Sequence, residues 1–467
     1  MHKNVALIPT FALLVFFTAC TQQKKPEDDF RVAPLDEGKS LEITKYSGEN
    51  QTAHIPASLH GRPITKIGNA AFRGSELIDV AIPANVTEIG DNAFAGNMLT
   101  KVTVPNKVTS IGAGAFNNNQ LSSLTIPGSV TAIGRSAFAN NKLTSITIPA
   151  TLTDIGELAF DNNQLTSVTF GKDVEIVYVA GFTGEGENQR AILWLNGIPL
   201  ALSDTQSTAY SVAVSGSDVY VAGSIGGGQD ERATLWKNNV PQSLSDSVSY
   251  AISICLSGKD VYVAGAMGYE QSERATLWTN GVAQTLSDAE SWANPVFVSG
   301  SDSYVAGSVG KGGNQRAMLW KNGTPQPLSD AQSLCRSAYV YGSDVYVVGS
   351  IVQGQNDRAT FWKNSIPQTM SNTQSVAFSV YVSDSDVYVA GDVGPTQNPR
   401  ATIWKNGIPQ TLSDSRSAAR SVFVSGSDIY VAGRVGQDQS RRATLWKNGI
   451  PQILSDTQSI AYSVFVK

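Results

Sequence analysis

The second part of the chain repeats itself every 42 residues, and this period restricts the possible folds more than any other feature of the sequence. One tyrosine and one tryptophan mark each repeat. They are Tyr178, Tyr220, Tyr262, Tyr304, Tyr346, Tyr388 and Tyr430, and Trp194, Trp236, Trp278, Trp320, Trp362, Trp404 and Trp446. Neither series contains an insertion, and 7 × 42 = 294 is the length of residues 174–467. A fixed period of this length is typical of architectures in which each unit buries its apolar edge against the next.

Each 42-residue unit contains four candidate strands, typified by VYVAG, RATLW, IPQTL and SVFV. Asn-Gly pairs, as at Asn196-Gly197, separate the second strand from the third and favour a tight hairpin. Four strands in about 40–45 residues is the length of one β-propeller blade. The sequence therefore predicts a seven-bladed β-propeller over residues 174–467.

The two ends of this array differ in a way that predicts how the ring closes. The chain ends on SVFVK, whereas the first unit begins at Val174 without a preceding SVFV strand in phase. We expect residues 463–467 to pair beside residues 177–180, because such a strand removes the free edge of the first blade.

Residues 41–171 have a second, shorter period of 22 residues. Each unit opens with an alternating apolar pattern, as at Leu143, Ile146 and Ile148, which predicts a short strand of a leucine-rich solenoid. Ile-Gly and Ala-Phe pairs and a single asparagine recur in register. They are Ile67, Ile89, Ile111, Ile133 and Ile155, then Phe72, Phe94, Phe116, Phe138 and Phe160, and Asn97, Asn119, Asn141 and Asn163. We interpret the asparagines as a ladder that hydrogen-bonds the backbone of neighbouring coils.

With these landmarks, the 22-residue unit resembles the repeats of BspA-like bacterial leucine-rich repeat surface proteins, and HIPASLHGRPITKIGNAAF resembles the usual opening of such an array. The resemblance covers residues 41–171 and implies an exported adhesin that binds host matrix proteins or other bacteria. The 42-residue units lack the WD dipeptide and the kelch diglycine, so they resemble no named propeller family. The predicted fold class is mostly β, with a leucine-rich-repeat solenoid followed by a seven-bladed propeller.

The first 20 residues read as an export signal. One lysine precedes an apolar run from Val5 to Phe17, which is too short to cross a bilayer. Phe17-Thr18-Ala19-Cys20 resembles a bacterial lipobox, which implies a lipid on Cys20; the alternative is an ordinary signal peptide with an incidental cysteine. Residues 21–40 are polar and mixed in charge, so we expect a flexible tether. The predicted location is the cell envelope, at the outer membrane or cell surface.

Composition excludes several classes of function. The formal net charge of −5 gives no basic surface for nucleic acid. The three histidines are His2, His54 and His60, so the 42-residue array contains none and has neither a Ser/His/Asp or Cys/His site nor a cluster with metal-ligand spacing. We expect no cofactor, no metal and no enzymatic activity. A pair of carboxylates remains possible, as in a glycosidase.

Two sets of residues outside the propeller core are candidate binding residues. The first alternates with the apolar positions of the solenoid strands and should face one exposed surface; the alternative is that threonine simply suits an exposed strand. It comprises Lys101, Thr103, Ser123, Thr125, Ser145, Thr147, Ser167 and Thr169. The second is Trp292, the one tryptophan out of phase, which is either a surface anchor or a partly buried apolar residue.

One arginine per blade forms a ring that we interpret as structural. The ring is Arg190, Arg232, Arg274, Arg316, Arg358, Arg400 and Arg442. Aspartates recur near it, as at Asp218 and Asp204, and predict a repeated Arg–Asp bond. The alternative is one sugar or anion pocket per blade, with an arginine and a tryptophan face. The Gly-rich loops after VYVAG differ between copies and leave one face of the disc, where a partner is to be expected.

These features together predict a lipid-anchored cell-surface binding or adhesion protein that displays two repeat scaffolds. The expected partners are host or bacterial surface proteins, or glycans, and the membrane is contacted through the lipid alone. We expect a monomer. One alternative is a multivalent carbohydrate-binding propeller lectin, and another is a glycosidase or lyase on a propeller scaffold.

Overall fold

The computed structural model describes residues 26–269 and 272–467. The predicted signal peptide, Cys20 and residues 21–25 lie outside the described residues. Within the described ranges the regular structure is β-strand, with short 3-10 turns between strands. Those turns are Pro26–Asp29, Asp36–Gly38, Gly186–Asn188, Gly228–Asp230, Gly312–Asn314 and Asp438–Ser440. The predicted fold class is confirmed: a solenoid of stacked coils leads into seven four-stranded sheets.

The solenoid contains twelve described strands. They are β1 (Phe30–Leu35), β2 (Ser40–Tyr46), β3 (Thr52–His54), β4 (Ser58–Leu59), β5 (Arg62–Ile67), β6 (Asp79–Ala81), β7 (Glu88–Ile89), β8 (Ser110–Ile111), β9 (Ala132–Ile133), β10 (Ser145–Ile148), β11 (Asp154–Ile155) and β12 (Ser167–Phe170).

The propeller strands follow in order of sheet. They are β13 (Val177–Thr183), β14 (Arg190–Leu195) and β15 (Ile198–Ala201); β16 (Ser207–Ser215), β17 (Asp218–Ile225), β18 (Arg232–Lys237) and β19 (Val240–Ser243); β20 (Ser249–Ser257), β21 (Asp260–Met267), β22 (Arg274–Thr279) and β23 (Val282–Thr285); β24 (Ser291–Ser299), β25 (Asp302–Val309), β26 (Arg316–Lys321) and β27 (Thr324–Pro327); β28 (Ser333–Tyr341), β29 (Asp344–Gln353), β30 (Asn356–Lys363) and β31 (Ile366–Thr369); β32 (Ser375–Ser383), β33 (Asp386–Val393), β34 (Arg400–Lys405) and β35 (Ile408–Thr411); β36 (Ser417–Ser425), β37 (Asp428–Val435), β38 (Arg442–Lys447) and β39 (Ile450–Ile453); and β40 (Ser459–Val466).

The Ile-Gly and Ala-Phe landmarks hold the solenoid coils together. The Ile-Gly isoleucines lie in short parallel strands, with Ile67 beside Ile89 in the next coil. The Ala-Phe rings stack in one column, with centroids 4.9–5.5 Å apart from Phe72 to Phe160. The strand predicted at the start of each unit is regular in β6, β10 and β12 and reduces to one bridge between Thr103 and Thr125.

The asparagine ladder is confirmed as structural. Asn97 Nδ2 donates to the carbonyl oxygens of Phe72 at 2.8 Å and Phe94 at 2.9 Å, and its Oδ1 accepts from the Leu77 amide at 3.0 Å. Asn119, Asn141 and Asn163 repeat this pattern. Each amide therefore satisfies buried backbone groups of two successive coils.

The predicted tether over residues 21–40 is wrong for its described second half. Residues 30–35 form β1, which pairs antiparallel with β2. The Phe30 ring lies 5.5 Å from Tyr46 and 6.3 Å from Phe72. The physical reason is that the first coil of a solenoid has an open apolar edge that a terminal element must cover. Phe30 and Val32 supply that cover in a segment whose overall composition is polar.

Each propeller sheet runs from an inner strand at the channel to an outer strand at the rim. The inner strands β16, β20, β24, β28, β32, β36 and β40 contact one another around the ring, whereas outer strands such as β23 are exposed. The Asn-Gly hairpins are confirmed, with positive φ at both Asn196 and Gly197. The repeated tryptophans are 0–1% exposed and wedge between sheets. Trp278, for example, packs against Ala222 and Ala233 of the preceding sheet.

The predicted closure of the ring is confirmed. β40 pairs antiparallel with β13, with Val177 opposite Val466 and Ala180 opposite Ser463. The amide of Ile176 donates to the Lys467 carbonyl at 2.9 Å, and the Lys467 amide donates back at 3.1 Å. The last strand of the chain thus becomes the inner strand of the first sheet.

The last solenoid coils pack against the rim of the propeller. The amide of Ala201 donates to the Leu165 carbonyl at 3.4 Å, and the amide of Ile453 donates to Glu157 Oε1 at 3.1 Å. Leu165 and Leu200 belong to one continuous buried cluster. The two arrays therefore share a packed interface.

This interface contains a pair of carboxyl groups that makes stability depend on pH. Asp161 is 7% exposed. The pKa of Asp161 is raised to about 7, mainly by burial. A hydrogen bond shared with Asp456 and the charge of Asp456 raise it further. An unfolded aspartate has a pKa of about 3.9, so between about pH 4 and 7 the folded chain holds a proton that the unfolded chain has lost. The free energy of unfolding therefore falls as pH rises through this window, by at most about 1.4 kcal/mol per pH unit.

We expect Asp161→Asn to remove this dependence, because the amide keeps a hydrogen bond to Asp456 without titrating. Melting temperatures at pH 5 and pH 8 should differ less for Asp161→Asn than for the unchanged chain. The matched control is Asp154→Asn on the exposed side of the same coil. An equal pH dependence in all three proteins would show that the pair does not titrate in this range.

Candidate functional site

The predicted arginine ring lies at the start of the third strand from the channel in each sheet, or near it in β30. Five members donate to backbone carbonyls of the loop that precedes their own strand: Arg190, Arg232, Arg274, Arg316 and Arg442. The predicted Arg–Asp bond is therefore wrong. A guanidinium at this position reaches the carbonyls of its own tight turn, as in the 2.7 Å bond from Arg190 to Glu187 O.

Five aspartates of the Asp218 series instead bind lysines at the opposite end of their sheets. Asp218 Oδ2 lies 2.9 Å from Lys237 Nζ, and Asp218 Oδ1 accepts from Asn238 Nδ2 at 2.9 Å. The lysine also lies over the ring of Tyr220. The same ion pair recurs at Asp302, Asp344, Asp386 and Asp428. With the tryptophans buried, the arginines and tryptophans do not form an open pocket in each blade.

The eight candidate residues of the solenoid form one exposed row. All of them are solvent-exposed: Lys101, Thr103, Ser123, Thr125, Ser145, Thr147, Ser167 and Thr169. Ser145 lies beside Ser167 and Thr147 beside Thr169 in the parallel pair of β10 and β12. The row offers hydroxyl groups at the spacing of the coils, and its role in binding stays a prediction.

Trp292 is half-buried and hydrogen-bonded. Its indole Nε1 donates to Glu273 Oε2 at 2.6 Å, and Tyr250 donates to Glu273 Oε1 at 3.2 Å. Of the two interpretations left by the sequence, the structure supports the partly buried residue. Trp292 occupies an inner-strand position at which the seven copies carry seven different residue types: Thr208, Tyr250, Trp292, Leu334, Val376, Ala418 and Ile460.

A larger feature lies two positions further along each inner strand. A cavity of about 440 Å³ opens there, at the end of the channel where the inner strands begin. One residue from every blade lines it, and these residues are 42 positions apart: Tyr210, Ile252, Asn294, Arg336, Phe378, Arg420 and Tyr462. Five residue types at one position of an otherwise regular repeat is the signal that could have identified this site from sequence.

A β-bulge in each inner strand aims these side chains into the channel. The register shifts between Ala209 and Ser211, which leaves Tyr210 as the extra residue, and five other inner strands leave out one residue at the equivalent place. In β24 two residues, Asn294 and Pro295, are left out. The glycine of each VYVAG-type motif permits the bulge, because a Cβ on Gly223 would clash with the Thr208 carbonyl. A bulge redirects the side chain that it displaces. A regular motif of the repeat thus positions a residue that varies between the blades.

One side of the cavity is cationic. The guanidinium carbons of Arg336 and Arg420 lie 4.9 Å and 3.9 Å from the ring centroid of Phe378. The Nε atoms of both arginines are buried without a hydrogen-bond partner. Burial, then repulsion from Arg420, lowers the pKa of Arg336 to about 10. A cation that is removed from water without a partner is costly for the folded protein.

Another part of the cavity wall is aromatic and weakly acidic. The rings of Tyr210 and Tyr462 lie 5.2 Å apart at an angle of 45°. Glu231 accepts a hydrogen bond from Ser224 Oγ at 2.6 Å, and burial raises its pKa. Glu231 carries the only carboxyl group among the described residues that line the cavity.

A ring of serines completes the wall. Each accepts a hydrogen bond from an inner-strand amide of the next blade, as Ser211 Oγ does from Ile254 at 3.3 Å. The others that line the cavity are Ser253, Ser379, Ser421 and Ser463. A hydroxyl whose oxygen accepts can still donate its own proton. In the fourth sheet Pro295 takes the place of the serine, and Asn294 Nδ2 donates to the Cys335 carbonyl at 2.5 Å.

The described residues contain neither a candidate metal-binding cluster nor a candidate membrane-spanning helix. Across residues 26–269 and 272–467, no group of three or more histidine, cysteine, aspartate or glutamate side chains is arranged to hold a metal ion. In the same part of the chain, no helix has the length and apolar character needed to span a bilayer.

Comparison with known proteins identifies the solenoid. Residues 65–186 match the model of the BspA type leucine rich repeat region in six copies. No curated protein matches the chain. A leucine rich repeat protein of T. pallidum is 27% identical over 31% of this chain and 71% of its own, with a TM-score of 0.29.

Two further solved structures are similar to parts of the chain. A leucine rich cell surface protein of Faecalibacterium prausnitzii A2-165 is 28% identical over 32% of this chain and 56% of its own, with a TM-score of 0.22. TolB from Acinetobacter baumannii is 9% identical over 64% of this chain and 89% of its own, with a TM-score of 0.38. These scores are too low to support an inference about function. The family match and the repeat geometry together show that the solenoid of this chain is a BspA-type leucine-rich repeat region.

Proposed function

We propose that the chain is an exported binding protein whose principal ligand site is the channel cavity of the propeller. The observation that carries this proposal is the variation of the seven equivalent bulge residues, all of which face one cavity. A residue needed only for the ring would be the same in every blade, as the buried tryptophans are. Different side chains around one cavity of about 440 Å³ are what a specific pocket requires.

The proposal includes display at the cell surface. A BspA-type solenoid supports this part of the proposal. We place the chain at the cell envelope, on the outer membrane or cell surface, through a lipid on Cys20, and fatty-acid labelling of the cysteine tests that anchor. The exposed row from Lys101 to Thr169 is then a second contact surface for host or bacterial surface proteins.

The alternatives fit the geometry less well. A multivalent lectin needs an open pocket in each blade, whereas the tryptophans are buried and five of the seven arginines bind their own loops. A glycosidase needs two carboxyl groups that face one space. Glu231 is the single carboxyl group on the described cavity wall. Binding is therefore the function that we propose.

Filling the cavity should abolish binding without unfolding the propeller. Ile252 is a half-buried bulge residue of the cavity wall, and Ile252→Trp adds a ring to that space. An array of glycans and matrix proteins first identifies the partners that the unchanged chain binds. We expect Ile252→Trp to lower the affinity for these partners at least about tenfold, because the added volume displaces the ligand. The matched control is Ile408→Trp on the outer rim, where Ile408 is 74% exposed.

Melting temperatures of both variants separate lost binding from lost structure. If Ile252→Trp is folded and still binds the same partners as Ile408→Trp, the ligand site lies elsewhere. The exposed solenoid row is then the next surface to substitute.

A further inference from the structure

Building on the proposed binding function, we infer that the channel cavity takes an acidic sugar, with its carboxylate between Arg336 and Arg420 and its ring against the aromatic wall. The cavity presents three kinds of group that such a ligand matches together. They are unpaired guanidinium groups, hydroxyl donors and flat aromatic faces.

The charge of the ligand follows from the two arginines. Both guanidinium groups lie against the same ring, Phe378, and neither has an ion-pair partner within 4.0 Å in the part of the chain that the structure describes. The charges of Asp357 and Asp392 act on Arg336, and that of Asp392 also acts on Arg420, but neither carboxyl group lies within 4.0 Å of a guanidinium nitrogen. Asp392 accepts from the Ala419 amide at 3.0 Å, and Asp357 accepts from Ser350 at 3.1 Å. An anionic ligand would supply the partner that the two cations lack.

The hydrogen-bonding character of the wall indicates an acceptor-rich ligand. The serines use their oxygens as acceptors for backbone amides, which leaves the hydroxyl protons for the cavity. Glu231 stands among these donors as an acceptor for ligand hydroxyl groups. Such a distribution suits a carboxylate at one end of a polyhydroxylated molecule.

The size and the aromatic residues of the cavity indicate a ring rather than a bare anion. Tyr210 and Tyr462 lie together on the wall, with Tyr462 in the blade after Arg420, and both guanidinium groups lie against the Phe378 ring. Inorganic phosphate would pair with the arginines but would leave these apolar faces uncovered. A volume of about 440 Å³ is in the range of pockets that enclose small organic ligands.

Glucuronate and glucose are the probes, because they differ only in carrying a carboxylate or a hydroxymethyl group on the same ring. Isothermal titration of the purified full chain should give glucuronate an affinity at least about tenfold above that of glucose. Arg420→Gln should weaken glucuronate binding by at least about tenfold, Arg420→Lys should retain part of it, and the exposed solenoid control Arg73→Gln should change nothing.

Thermal stability without ligand provides a second readout. If Arg420 serves a ligand, Arg420→Gln should melt at the same or a higher temperature, since it removes a half-buried charge that has no ion-pair partner within 4.0 Å. A lower melting temperature would overturn the inference by showing that Arg420 is structural.

The remaining outcomes separate the inference from the proposed function. Equal affinity for glucose and glucuronate, equal affinity for inorganic phosphate, or no binding of glucuronate overturns the acidic-sugar assignment. The proposed function survives these results if array binding is still lost in Ile252→Trp. It fails independently if that variant binds normally.

Discussion

Deletion of residues 463–467 is expected to lower the melting temperature by on the order of 10 °C. These residues supply the second half of β40, the inner strand of the first sheet. Val464 and Val466 are 5% and 6% exposed, and burying an apolar side chain of this size contributes about 1.5–3 kcal/mol. Their removal also leaves the inner edge of β13 unpaired at residues 177–180, which weakens the closure of the ring by the last strand. A loss of a few kcal/mol corresponds to a shift of this size in a domain of comparable length.

Differential scanning calorimetry of the truncated chain measures the effect. A chain extended by Gly-Ser after Lys467 is the control, because it alters the terminus and keeps the strand. An unchanged melting temperature in the truncated chain would contradict the closure of the ring by β40.

Replacement of a wedge tryptophan is expected to be the most damaging single substitution in the propeller. Trp278 is fully buried and fills the space between its own sheet and Ala222, Ala233 and Leu235 of the preceding one. Trp278→Ala should lower the free energy of unfolding by about 3–5 kcal/mol through lost burial and the cavity that remains. Urea unfolding followed by circular dichroism measures this change. A loss below 1 kcal/mol would show that the sheets repack without the wedge.

The seven wedges differ in one respect that refines this prediction. The indole Nε1 of Trp236 donates to the Leu202 carbonyl at 2.9 Å, and that of Trp362 donates to Leu328 at 3.2 Å. The Nε1 atoms of Trp278 and Trp404 are buried without a partner. Tryptophan-to-phenylalanine substitutions should therefore cost about 1 kcal/mol more at Trp236 and Trp362 than at Trp278 and Trp404.

The architecture was predictable because two strict periods run through most of the sequence. The 42-residue repeat of tyrosine and tryptophan and the missing SVFV strand before Val174 were sufficient to predict seven blades and their closure. The cap formed by β1 was not predictable in the same way. It is a single, non-repeated element whose polar composition hides two apolar residues, Phe30 and Val32, that cover the first coil.

The candidate site was only partly accessible from the sequence. The sequence singles out Trp292 as an irregular residue, and Trp292 lies two positions before the bulge residue Asn294. The bulge itself was hidden, because a one-residue shift in pairing register decides which side of the strand faces the channel. Only the paired strands show that Tyr210, Arg336 and Arg420 converge on one space.

The arginine ring shows why repetition alone does not identify a partner. Arginine and aspartate recur in every unit, so their periods are compatible with a bond between them. The fold places Arg232 at the start of β18, where it meets the carbonyls of its own turn, and Asp218 at the other end of the sheet beside Lys237. Arg232 and Asp218 therefore lie at opposite ends of the sheet, although both recur with the same period.

A crystal structure of the chain with a ligand recovered from the glycan and matrix-protein array tests the central claim most directly. The account predicts ligand density in the channel cavity, in contact with Arg420 and the Tyr210–Tyr462 pair, with no change in the ring. Density along the exposed solenoid row or on the outer strands, with an empty channel, would contradict it.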